Sequence, residues 1–112
     1  MAQGNRAETA DRINTAHNRS PYALGPILGR MLLAANLSPT TAATLLGVYD
    51  QTLYRWLYGM SAISPRQLPK VAKLLMILSW ILTKQEPLRG TVQQRERQFT
   101  EYIKQMKHLQ KP

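Results

Sequence analysis

The stretch "SPTTAATLLGVYDQTLYRWLYG", Ser38 to Gly59, constrains the fold more tightly than any other part of the chain. Ser38 and Pro39 form a helix start: a hydroxyl to accept from an end N–H, then a proline whose fixed φ suits the first helical position. The helix runs to Leu46. Gly47 ends it, because glycine takes a positive φ at little cost. A second helix follows at once, from about Asp50 to Tyr58, with Tyr49 or Asp50 at its start and Gly59 closing it. Helices this short are marginal alone, so they must share a core. Ala43 is small enough to let the second helix cross close by. Leu46, Val48, Leu53 and Trp56 pin the pair on either side of the turn.

A helical wheel divides the second helix into two faces. Leu53, Trp56 and Leu57 fall inward. Gln51, Arg55 and Tyr58 fall outward, with Thr52 and Tyr54 on the flanks. A protein core does not need those outward side chains, so the spacing points to a partner. The net charge of +9, fifteen Lys and Arg against six Asp and Glu, suggests which kind. Such an excess implies an acidic partner: nucleic acid first, then an anionic membrane or an acidic protein surface.

From Leu37 to Gly59 the chain resembles the helix-turn-helix of the phage repressor and Cro-type, or Xre-type, DNA-binding family. A looser similarity extends from about Leu24 to Leu78. It takes in the aliphatic helix before the motif and "ISPRQLPKVAKLLMIL" after it. The resemblance implies an all-α fold: a five-helix, lambda-repressor-like domain, here with an additional C-terminal amphipathic helix. It implies double-stranded DNA as the partner, bound by a homodimer. The implied function is transcriptional regulation, as a repressor of phage, plasmid or mobile-element type.

In such repressors the first residues of the recognition helix, and one a turn later, reach base edges. The matching positions here are Asp50, Gln51, Thr52 and Arg55. Glutamine can pair twice with adenine, and arginine with the O6/N7 edge of guanine. Thr52 suits a thymine methyl or a phosphate. Tyr54 and Tyr58 suit phosphate or sugar contacts, or serve as half-buried aromatics. Ser38, Thr40, Arg30, Lys70 and Lys73 complete the expected DNA-backbone set, with Arg6, Arg12 and Arg19 as further neutralisers. Two positions depart from the family pattern. Pro39 stands where members often carry a phosphate-holding glutamine, and Asp50 is acidic where many carry an amide. Asp50 either accepts from cytosine, or caps the helix and holds Arg55 in place.

The rest of the chain reads as follows from its punctuation. Residues 1–20 are expected to be a flexible basic arm with one weak helical turn around Glu8–Ile13. Residues 21–85 form the DNA-binding domain and 86–112 the C-terminal helix. A helix from about Pro26 to Ala35 carries the stripe Ile27, Leu28, Met31 and Leu32, with Asn36 near its C-cap and Leu37 as a core plug. Ser64-Pro65 opens another helix through Lys84, with Pro69 in its first turns. Thr91 and Gln94 make a capping box. Beyond it, Val92, Phe99, Tyr102, Met106 and Leu109 form a narrow seam, with Arg95 in one slot. Such a seam suits docking on the domain or pairing with a second copy.

A protein-binding adaptor or inhibitor on the same fold, acting for instance on RNA polymerase or another regulator, is the alternative function. The aromatic surface of the second motif helix and the apolar run "LLMILSWIL" support it, and the C-terminal helix offers it a protein contact. An enzyme is not expected, nor is a cofactor or metal. His17 and His108 lie towards the two ends of the chain, with no thiol or clustered carboxylates nearby. The apolar run, Leu74 to Leu82, is far shorter than the ~20 residues that span a bilayer. The N-terminus lacks the apolar segment of a secretory signal, so a cytoplasmic location is expected.

Overall fold

The computed structural model describes residues 6–110. The described residues form six α-helices and no strand: α1 (Arg6–Arg19), α2 (Leu24–Ala35), α3 (Pro39–Leu46), α4 (Asp50–Leu57), α5 (Leu68–Lys84) and α6 (Val92–Gln110). A single 3-10 turn, Pro65–Gln67, leads into α5. Ser64 precedes that turn with extended backbone but makes no side-chain cap, so the helix proper starts one step later, with Pro69 in its first turn.

Helix α2 packs against α1, α4 and α5. Its buried Leu28, Leu32 and Ala35 meet Ala42, Ala43 and Leu46 of α3, Leu53, Trp56 and Leu57 of α4, and Val71, Leu74, Leu78 and Ile81 of α5. The helix begins at Leu24, two residues before the proline expected to open it, and brings Gly25 against α4. A side-chain carbon built on Gly25 would fall 2.8 Å from the Trp56 carbonyl carbon and collide with its oxygen. The crossing of α2 and α4 thus depends on a missing methyl. At the other end, Asn36 adopts a left-handed conformation (φ 64°) and caps α2, and Leu37 is buried as the plug.

The N-terminal segment departs from the sequence expectation. Arg6–Arg19 is not an arm with one helical turn but a 14-residue helix, with Thr9, Ile13 and Ala16 buried on one face. Ile13 is 1% exposed and sits over Gly29 of α2. One large apolar side chain every few turns is too sparse to stand out in sequence, but a glycine on the receiving helix makes it sufficient. Residues 1–5 of the expected arm lie outside the described residues.

Helix α6 docks on its own chain. The Thr91 hydroxyl accepts from Gln94 N–H (3.1 Å) and the Gln94 amide oxygen accepts from Thr91 N–H (2.8 Å), so the capping box forms. Phe99 is 2% exposed in the main core, and Tyr102 stacks edge-on to Trp80 of α5 (6.0 Å). The seam's Leu109 side chain lies outside the described part. Ahead of α6, the loop after α5 is strapped to the C-terminal end of α2. Leu88 donates to the Ala35 carbonyl (2.9 Å) and accepts from the Asn36 amide (2.8 Å). Arg95 donates to the Asn36 carbonyl (3.1 Å) and its side-chain oxygen (3.2 Å). A cation at that position also complements the negative end of the α2 dipole.

Candidate nucleic-acid interface

The α3–α4 pair is locked by local chemistry that the sequence announces. Ser38 caps α3, its Oγ accepting from Thr41 N–H at 3.2 Å. Gly47 turns the chain at φ 71°, and Val48 N–H returns to the Ala43 carbonyl at 3.0 Å. Helix α4 then starts from Tyr49, whose backbone is extended and whose side chain makes no cap.

Asp50 makes a contact within the chain that neither expected role includes. Its Oδ2 accepts from the Thr40 hydroxyl at 3.2 Å, tying the first turn of α4 to the first turn of α3. No ion pair with Arg55 forms among the described residues. As the first residue of α4, the carboxylate still faces the positive end of that helix.

Of the four base-reading candidates, Gln51 and Arg55 are exposed, one turn apart on the side of α4 away from Leu53, Trp56 and Leu57. Neither side chain is hydrogen-bonded or ion-paired to another described residue. Thr52 and Asp50 are half-buried beside them. The loop after α4 folds back on the helix, with Met60 and Ser61 N–H groups both donating to the Arg55 carbonyl (2.8 and 3.3 Å). That contact fixes the last turn of α4 while leaving the guanidinium outside.

The backbone candidates are dispersed. Thr40 is exposed and shared with Asp50, whereas Ser38 is half-buried and engaged as a cap. Lys70 and Lys73 are exposed on the first turns of α5, and the Lys70 ammonium lies over the Gly47 turn, 3.8 Å from where a side-chain carbon would stand. Arg30 instead turns to α1, with Nη1 3.0 Å from His17 Nδ1. Tyr54 and Tyr58 also face α1. Their rings are 5.5 Å apart, and the Arg12 guanidinium sits 3.9 Å over the Tyr58 ring. Burial pushes the Tyr54 phenol above its ordinary pKa, with the neighbouring Tyr58 and Asp50 adding to the effect.

The structure therefore gathers Thr40, Asp50, Gln51 and Lys70 around the turn, with Arg55 one turn further along α4. It adds a residue that sequence reasoning passed over. Tyr49 is 85% exposed at the head of α4, beside the turn. An aromatic residue at a helix start, where a short polar cap is preferred, was the available signal.

Among the described residues no group of three or more His, Cys, Asp or Glu could hold a metal ion. No described helix is long and apolar enough to cross a membrane. Comparison with protein-family models, curated proteins and solved structures yields no match.

Proposed function

We propose that the chain is a sequence-specific DNA-binding transcriptional regulator of the lambda-repressor-like type, a repressor that lays α4 in the major groove over a promoter. The observation that carries this reading is the outward pair Gln51 and Arg55, open to solvent on a short helix whose opposite face is fully buried. Both side chains can form bidentate pairs with base edges, and specificity needs such pairs on a rigidly seated helix. Lys70 at the turn, Thr40 on α3 and the exposed Tyr49 supply phosphate contacts that fix the register. One small module binds weakly. Two half-sites about one DNA turn apart, bound by two copies, supply the affinity of a working repressor.

Replacing Arg55 by alanine tests this. In an anisotropy titration against DNA selected from a random pool, the variant should lose about 1–3 kcal/mol and relax base preference at one position. Equal binding of every sequence by variant and parent would remove α4 from the interface. Enrichment of an inverted repeat in the selection would carry the homodimer with it.

The adaptor reading loses part of its sequence support. Arg12 of α1 covers the Tyr58 ring, Tyr54 packs beside Tyr58, and Tyr102 of α6 packs edge-on against Trp80.

A further inference from the structure

A groove runs between α3, α5 and α6 on the flank of the α3–α4 pair, floored by Leu74 and Phe99. Its walls are Leu45, Ile77 and Ile103, and its rim carries Lys70, Lys73 and Lys107. Leu45 is 46% exposed, so the groove opens to solvent along α3. No ion pair engages the three ammonium groups among the described residues. The two carboxylates of α6 are engaged elsewhere: Glu96 accepts from the Thr41 hydroxyl of α3 at 2.9 Å, and Glu101 lies 3.4 Å from Lys104.

The geometry points to this groove as the docking site of an acidic, amphipathic helix from a partner protein. The charge pattern selects that occupant. A second copy of this chain carries a +9 excess, and through this face it would set the same lysines against one another. A nucleic acid satisfies the lysines but has nothing to place against Leu45, Ile77 and Ile103. A helix with apolar residues on one stripe and carboxylates on its shoulders satisfies both, in the helix-in-groove mode. The length agrees: the α5 wall from Lys70 to Ile77 rises about 10 Å, two turns of a docked helix. The proposal does not rest on the DNA-binding reading. Lys70 and Lys73 would nevertheless serve both partners, so where both bind they compete.

The test uses the full chain without DNA. A fluorescein-labelled synthetic peptide of about 16 residues, roughly four helical turns, carries leucines at i, i+3, i+4 and i+7 and glutamates elsewhere. A second peptide of identical composition has its leucines scattered over all faces. The ordered peptide should bind at least about tenfold more tightly than the scattered one. Leu45→Glu and Lys107→Glu, both at exposed positions and checked for native circular dichroism, should each weaken it by about three- to tenfold. Equal affinity for the two peptides would overturn the proposal, leaving only charge attraction. Parental binding by both variants would overturn it too, as would a concentration-dependent dimer that Leu45→Glu abolishes. Retained peptide binding in Arg55→Ala, whatever happens to DNA, keeps the two readings apart.

Discussion

Gly25 carries a constraint that its place in the first turn of α2 does not advertise. It faces the Trp56 carbonyl of α4, with no room for a side-chain carbon between the two backbones. Gly25→Ala should therefore destabilise the chain by about 1–3 kcal/mol or more, although alanine is the better helix former. Urea denaturation measures it, and an unchanged midpoint would mean that the helices can part without loss. Ser38 and Gly47 were legible in the sequence because their roles are local: each serves a backbone group within a few residues. Gly25, the long-range contact of Asn36 beyond its cap, and the tie made by Asp50 were not. Their partners are Trp56, Leu88 and Thr40, and only the fold brings those within reach.

At the level of elements, the first and last helices were the hardest to read and prove to be parts of the core. Helix α1 hides behind a polar sequence because Ile13 is its one large buried side chain. Helix α6 shows a clear seam, but its period alone could not distinguish docking from pairing. The structure fills that seam internally with Phe99, and Arg95, the one polar slot, faces the α2 C-cap. Phe99→Ala should cost about 3–5 kcal/mol. Hydrogen exchange should show amides of α6 losing protection with the rest of the core, since Thr41 of α3 also donates to Glu96 of α6 (2.9 Å). Selective loss in α6 alone would mark it as an independent appendage. The α2, α3, α4 and α5 helices lay close to where the caps and apolar stripes put them, to within a turn at each end.

At the scale of the whole molecule, the forces that hold the fold are distinct from the charges that the proposed function assigns to a partner. The ion pairs Glu86–Arg89 and Glu101–Lys104 are exposed and span a single helical turn or loop step. Such pairs contribute little, and salt should barely move the unfolding midpoint. DNA affinity should behave oppositely. With six or more phosphates neutralised it should fall at least about a thousandfold between about 50 and 200 mM salt. Fluorescence anisotropy across that range checks the prediction, and a flat response would point to a protein partner instead. The outward residues of the site could be placed from sequence, since a wheel needs only spacing. Which of them are engaged elsewhere could not, because the claims of α1 on Tyr58 and Arg30 come from a helix the sequence barely reveals.

The close seating of α4 against Gly25 has a consequence for how such a chain can change over generations. The helix is held by its inner face, by the Asp50–Thr40 tie and by backbone bonds at its last turn, and the exposed side chains at positions 51 and 55 take no part in any of these. If the proposed reading holds, descendants could exchange those two letters for others and acquire a different target while melting at the same temperature.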